Sequence, residues 1–254
     1  MTRVVKVGGR VQSAAGLPAV IARAWRAHPA SLCVVHGGGD EVSALQRSLG
    51  AEPSFVGGRR VTAPRDIELL RMALSGSANK RLVSALVACG TPAVGLSGED
   101  AALIAARPAG TPELGRVGAP HRVNVELLRH LLGGGYLPVI SPLSASTDAG
   151  DVGALNVNGD DAAAAIAVAL EADELLLLSD VPGVLSAGSP VPSLDADEAA
   201  RAIVAGWAGG GMSAKLEAAV AALDGGVGRV RIGDLSALDN PELGTLITPV
   251  RSAV

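Results

Sequence analysis

Aromatic residues are nearly absent from this sequence: Trp25, Phe55, Tyr136 and Trp207 are the only four in 254 residues. Proteins that hold nucleic acid use cationic tracks and often aromatic stacking platforms. With so few rings, a net charge of −4 and no basic run, nucleic acid is excluded as a partner. Cysteine is scarce too. Cys33 and Cys89 sit in apolar surroundings without metal-ligand spacing, so they read as reduced core thiols rather than a disulfide framework. No uninterrupted apolar run approaches the roughly 20 residues of a membrane span. The sequence opens directly on a strand-like run, without the pattern of a signal peptide. These absences give the expectation of a cytosolic protein with no membrane partner. Two phosphate-binding patterns are also missing: G-x-x-x-x-G-K-[ST], and G-x-G-x-x-G after a strand.

What is present is a core of small and branched aliphatics. Apolar residues make up 48% of the chain, and with so few aromatics the core must come from Ala, Val, Leu and Ile. That composition suits buried parallel strands with helices on both faces. The length allows one two-lobed domain or two small ones. Strand-like runs at 4–7, 31–35, 92–96, 136–140, 174–178 and 228–232 alternate with helix-like stretches at 17–27, 40–49, 64–75, 79–89, 124–132, 162–170, 195–205 and 211–224. A short hairpin is expected at 54–62 around Gly57-Gly58, and an irregular or hairpin excursion at 98–122. A polar loop rich in Ser, Thr and Asp should follow the strand at 136–140. This repeated order predicts a doubly wound, mostly parallel sheet.

Only three of the 21 basic residues are lysine, namely Lys6, Lys80 and Lys215. A lysine kept where arginine serves elsewhere suggests a site wanting a compact, flexible point charge. Lys6 ends the first strand before Gly8-Gly9, and Lys215 follows Gly209-Gly210-Gly211. A third glycine turn, His36-Gly37-Gly38-Gly39, leads from a strand into a helix, where backbone N–H groups and the helix dipole face an anion. Strand ends followed by glycines are where open α/β sheets place ligands. Glycine turns and isolated lysines from separate parts of the chain suit a diffuse electrostatic cradle for a phosphoryl group. Lys80 lies away from the glycine turns and reads as structural or interfacial, and His36 as structural.

Seven segments in order resemble the amino-acid kinase family. They are Lys6-Val-Gly-Gly9, His36-Gly-Gly-Gly39, Gly58-Arg-Arg60-Val-Thr62, Gly76-Ser-Ala-Asn-Lys80, Asn156-Val-Asn-Gly-Asp160, Ser179-Asp-Val-Pro-Gly183 and Gly211-Met-Ser-Ala-Lys215. The resemblance implies a three-layer αβα sandwich with a mostly parallel open central sheet, in a single domain spanning 1–254. It implies an N lobe (1–172) that binds an acyl amino acid and dimerises, and a C lobe (173–254) that binds the nucleotide. The implied reaction is ATP-dependent phosphorylation of the side-chain carboxylate of N-acetyl-L-glutamate. Alternatives are a carrier-protein-bound aminoadipate or glutamate as acceptor, or a nucleotide-sensing module without chemistry.

By the same resemblance, Lys6 and Lys215 stabilise the transferring phosphoryl group and Asp160 orients them. Arg60 and Asn156 hold the substrate α-carboxylate, with backbone contacts from Gly38 and Gly39. The nucleotide is lined by Gly8, Gly9, Asp180, Val181, Pro182, Gly183, Val184, Leu185, Trp207, Ala208 and Gly209. Mg2+ is expected to arrive with ATP rather than at a dedicated metal site. A carboxylate acceptor is already ionised at pH 7, so no general base is needed. Asp160 could also serve as a helix N-cap, and Asp161 reads as first-turn charge.

The pattern is broken at two places. Arg59 stands where the family more often has an apolar residue, which makes it a second candidate to reach the ligand. Ser213-Ala214 lacks the proline that precedes the lysine in some members. Members inhibited by arginine carry an extra N-terminal helix, whereas Lys6 comes six residues into this sequence, so the expectation is a homodimer insensitive to arginine.

Overall fold

The β-branched and leucine-rich runs form the centre of an eleven-stranded sheet. In the computed structural model, which describes residues 1–109, 112–148, 151 and 153–250, the strand Arg3–Val7 lies parallel between Leu32–His36 and Glu174–Leu178. Val230–Gly233 continues the parallel order beyond Glu174–Leu178. On the other side, Leu137–Ser146 pairs in parallel with both Leu32–His36 and Ala93–Gly98. The central strands are buried along nearly their whole length, so both faces of the sheet are covered, as a parallel sheet requires. Helices Gly159–Ala169 and Gly211–Asp224 pack together over the central strands, and Leu17–Ala27 packs with Asn79–Ala88. The Cys33 thiol is pushed up to about 12 by burial, so it stays protonated in the core.

The chain leaves Arg3–Val7 for a neighbour on one side and later returns on the other. That reversal is a topological switch point, and a crevice opens there beyond the carboxyl ends of the strands. The three strands flanking it end in Gly8-Gly9, Gly37-Gly38-Gly39 and Ser179-Asp180. At Gly8 the chain passes so close to the neighbouring strand that a Cβ would lie 2.9 Å from the Leu178 carbonyl oxygen, so the position requires glycine.

Several elements differ from the sequence reading. The helices expected at 64–75 and 79–89 are one continuous run, Asp66–Leu70, a π-helical stretch Arg71–Ala78, and Asn79–Ala88. Gly76 without a proline weakens a helix by only about 1 kcal/mol, and here the extra residues are taken up in wide turns. The strand expected at 136–140 extends through Ser146 because its second half gains partners in Ile104–Pro108 and Ala154–Val157. The polar loop therefore begins later, and its residues 149, 150 and 152 lie outside the described residues. The excursion at 98–122 contains the antiparallel pair Ile104–Pro108 and Val117–Val123, with residues 110 and 111 outside the described ones. Beyond Gly233 come the short helix Ser236–Asp239 and the strand Thr245–Thr248, which runs antiparallel to Val230–Gly233 and pairs on its other side in parallel with Ser193–Asp195, the edge of the sheet. No helix among the described residues is long and apolar enough to cross a membrane.

Candidate active site

Lys6, Asp160 and Lys215 come from three elements and meet below the glycine turns. Lys6 is the fourth residue of the first strand, with Val35 and Leu177 as its register partners. Asp160 lies in the first turn of the helix Gly159–Ala169, whose N-cap is Asn158; the Asn158 side chain accepts from the Asp160 amide at 2.8 Å. Asp160 is thus not the cap. Its carboxylate points at the lysines instead. Lys6 Nζ lies 2.8 Å from Asp160 Oδ1, and Lys215 Nζ lies 3.3 Å from Oδ2. All three side chains are at most 10% exposed. The alanine-rich faces of the two helices make this possible, since Ala162, Ala163, Ala218 and Ala219 let the backbones approach closely.

Burial opposes the Asp160 charge, but the ammonium groups of Lys6 and Lys215 hold its carboxyl below the usual range. Lys215 is pushed down to about 8, first by burial and then by the charge of Lys6, with Asp160 offsetting part of this. Two buried cations against one carboxylate leave a local excess of one positive charge. An anionic group is the natural complement.

Two clefts adjoin this cluster, and Gly39 lines both. The smaller, of about 160 Å³, is lined by Gly37, Gly38, Gly39, Phe55, Arg59, Arg60, Leu74 and Asn156, among others. Arg60 is 8% exposed, and its guanidinium donates to Gln46 Oε1 at 2.5 Å, the Gly39 carbonyl at 2.8 Å and Ser43 Oγ at 2.8 Å. No carboxylate among the described residues pairs with it. Burial lowers its pKa, which marks a cation not yet fully compensated. Asn156 donates to Thr62 Oγ1 at 2.9 Å, and Thr62 in turn donates to the Arg60 carbonyl at 3.0 Å. The two residues expected at an α-carboxylate are therefore linked through Thr62.

The larger cleft, of about 570 Å³, is lined by Gly8, Gly9, Arg10, Asp40, Asp180, Val181, Leu185, Trp207, Gly209 and Lys215, among others. Pro182, Gly183, Val184 and Ala208 do not line it. Gly183 and Val184 turn inward, where the Val184 amide donates to Thr245 Oγ1 at 2.8 Å. Ala208 is buried as well. Gly183, Val184 and Ala208 support the wall without facing the space, and Pro182 is exposed outside it. Arg10, which the sequence did not single out, pairs with Asp180 at 2.7 Å on the rim.

His36 is fully buried and structural. Its Nδ1 lies 2.7 Å from the Gly37 carbonyl and its Nε2 lies 3.0 Å from Asn79 Nδ2. A neutral ring with its proton on Nδ1 satisfies both contacts. Burial lowers the His36 pKa to about 4, consistent with that form. Asn79 Nδ2 also donates to the Val139 carbonyl at 2.9 Å, so it ties the glycine turn to the long strand. Lys80 donates to the Gly95 carbonyl at 3.0 Å, away from both clefts. Asp161 is more than first-turn charge, because it pairs with Arg59 at 2.7 Å. Thr62 and Asn79, although inside two of the resembling segments, were given no role, and Ser43 and Gln46 were not singled out from sequence. Ser43 and Gln46 could have been, since they share with Val42 the buried side of one helix at i, i+3 spacing.

This arrangement, a switch-point crevice with a buried lysine–aspartate–lysine cluster between two clefts, is one that binds and transfers an anionic group. Residues 1–234 match the model of the amino acid kinase family, and the chain belongs to that family. Among its relatives, the acetylglutamate kinase of Rubrobacter xylanophilus is 46% identical over 97% of this chain and 96% of its own length. The acetylglutamate kinase of Roseiflexus castenholzii is 43% identical, over 97% of this chain and 93% of its own. Among solved structures, smu.665 of Streptococcus mutans superposes with a TM-score of 0.86 at 29% identity, over 97% of this chain and 98% of that one.

Proposed function

We propose that this enzyme transfers the γ-phosphoryl group of ATP to the side-chain carboxylate of N-acetyl-L-glutamate, giving an acyl phosphate and ADP. The observation that carries this reading is the buried Lys6–Asp160–Lys215 cluster, which lies where the two clefts adjoin. Relatives named acetylglutamate kinase, matched over nearly their full length, supply the acceptor.

The smaller cleft suits the acyl amino acid. Arg60 and Asn156 would hold its α-carboxylate, the charge that buried Arg60 lacks. The Gly38 and Gly39 amides and the N-terminus of helix Gly39–Ser48 favour anionic oxygens nearby. The larger cleft suits the nucleotide, with Gly8 and Gly9 at its phosphates and Trp207 at its rim. This supports an acyl-acid site built from residues 1–172 and a nucleotide site shared with 173–254. A substrate carboxylate oxygen attacks the γ-phosphorus while the bond to the bridging oxygen breaks, and that electron pair leaves with ADP. No proton moves, because the attacking carboxylate is ionised at pH 7. The work left to the protein is alignment and charge stabilisation, supplied by Lys6 and Lys215 with Asp160 fixing their ammonium groups.

Mg2+ belongs to the same proposal, and the donor set fits an ion held mostly by phosphate and water. Asp40 and Asp180 line the cleft, but no group of three or more His, Cys, Asp or Glu among the described residues could hold a metal. When bound, the ion would neutralise charge on the phosphate oxygens. A cytosolic homodimer is also proposed, supported by the exposed apolar side chains Met72, Val87 and Tyr136. Light scattering at twice the chain mass checks it.

The deciding assay measures ADP release with Mg-ATP and N-acetyl-L-glutamate, L-glutamate, L-aspartate or 2-aminoadipate, with hydroxylamine to trap acyl phosphate. Turnover confined to N-acetyl-L-glutamate supports the reading. Silence on every free acid refutes it, and points to a carrier-bound acceptor or to nucleotide binding alone.

A further inference from the structure

Arg59 has no part in the reaction just described, yet it is held more firmly than a surface arginine. It lies on the hairpin Phe55–Val56 and Arg59–Arg60, joined by Gly57 and Gly58 at φ +55° and +75°. Only glycine adopts two such residues in succession easily, which is the requirement of a tight two-residue turn. A two-stranded hairpin alone is marginal in water, and Phe55 and Val56 are 53% and 48% exposed, so this one has little apolar anchorage.

Polar tethers hold it in place. Just beyond it, the Thr62 amide donates to the Leu114 carbonyl and the Arg116 amide to the Thr62 carbonyl, and two side chains of the hairpin itself reach outward. On one side Arg60 reaches Gly39, Ser43 and Gln46 of the helix Gly39–Ser48. On the other, Arg59 Nη1 donates to Asp161 Oδ2 at 2.7 Å, with the two side chains 29% and 18% exposed. Asp161 directly follows Asp160, at the start of the helix Gly159–Ala169. The hairpin thus bridges two helix N-termini that face the transfer centre. It covers the smaller cleft, which Phe55, Gly58, Arg59 and Arg60 all line.

We propose that Arg59 is a positioning residue: its ion pair with Asp161 pins the hairpin over the acyl-acid cleft, so that Arg60 stays aimed at the substrate α-carboxylate. This rests on the acyl-acid assignment of that cleft. The pair would act on acceptor binding and leave nucleotide binding alone, since neither residue lines the larger cleft.

The test uses the full chain with Arg59→Leu, Asp161→Asn, the double variant and Arg59→Lys. The expected result is a KM for N-acetyl-L-glutamate raised about tenfold in each neutral single variant, equivalent to ~1.4 kcal/mol. The double variant should be no worse than either single, the KM for ATP should stay within about twofold, and Arg59→Lys should recover most of the loss. Amide exchange across residues 55–60, measured without substrate, should be faster in Arg59→Leu than in the parent. A lowered melting temperature with unchanged KM and unchanged exchange overturns the proposal, and so do strictly additive effects in the double variant. If the parent does not phosphorylate N-acetyl-L-glutamate, the functional reading fails by itself. The exchange measurement still decides whether the pair pins the hairpin.

Discussion

Burial and the neighbouring Lys6 ammonium bring Lys215 down to about 8, and that single value sets a pH window for the chemistry. Transition-state stabilisation needs the charged form, so kcat/KM should fall as pH rises through about 8, and Lys215→Arg should flatten that limb. For folding the sign is opposite. Between pH 8 and 10.5 the unfolded chain binds more protons at this group, so its contribution to stability rises with pH. An alkaline loss of activity with an undiminished melting temperature would therefore report the lysine. Lys215→Ala should lower kcat by about a hundredfold or more while leaving the circular dichroism spectrum unchanged. Lys6 and Lys215 were legible as rare lysines beside glycine runs, one at a strand end and one that opens a helix, whereas the role of Asp160 came from the family resemblance alone. The roles of Thr62 and Asn79 were not legible, because their partners are brought by the fold from 94 and 43 residues away. Asp161 was read as local charge for the same reason, its partner Arg59 being 102 residues distant.

Strands and helices with strong apolar runs were read almost to their ends, as at 17–27, 174–178 and 211–224. The misses are elements whose reason for existing is another element. Thr245–Thr248 is too short to announce itself, and forms because it fits between Val230–Gly233 and Ser193–Asp195. The continuous helix Asp66–Ala88 was read as two, at 64–75 and 79–89, because the π-helical stretch that joins them has no sequence pattern of its own. Where the first strand passes Leu178, Gly8→Ala would drive a methyl against a carbonyl oxygen. It should raise the KM for ATP or abolish turnover, which steady-state kinetics will show. The loop preceding Gly211–Asp224 places Trp207, 41% exposed, at the rim of the larger cleft, whereas Trp25 is 6% exposed. Adding Mg-ATP should change the tryptophan emission, and Trp207→Phe should remove most of that change.

At the scale of the molecule, the amino ends of the central strands carry a second buried charge cluster. Glu174 accepts from Arg231 Nε at 2.7 Å and from Arg3 Nε at 2.6 Å, and Arg231 also donates to the Leu243 carbonyl at 2.6 Å. Burial works against the Glu174 charge, but Arg231 and Arg3 hold its pKa below the usual value. Arg231→Ala leaves Glu174 paired with Arg3 but opens a cavity and takes the donor from the Ala237, Asn240 and Leu243 carbonyls, so it should destabilise the protein by about 2–5 kcal/mol in urea unfolding. Acid should act in sequence. His36 stays neutral in the fold while its unfolded counterpart protonates below 6.5, so stability is lost as pH falls from 6.5 towards about 4. Below that range the depressed carboxyls of Asp160 and Glu174 lose their contribution as they protonate. A melting-temperature profile against pH checks both stages. The two charge clusters stand at opposite ends of the same strands: Lys6 and the glycine turns at one, Arg3 and Glu174 at the other. Endurance and chemistry are thereby kept in separate hands. An engineer could seek heat tolerance by repacking the Arg3–Glu174–Arg231 end, provided the Ala237, Asn240 and Leu243 carbonyls keep a donor, while the rim of glycine turns keeps its own rate.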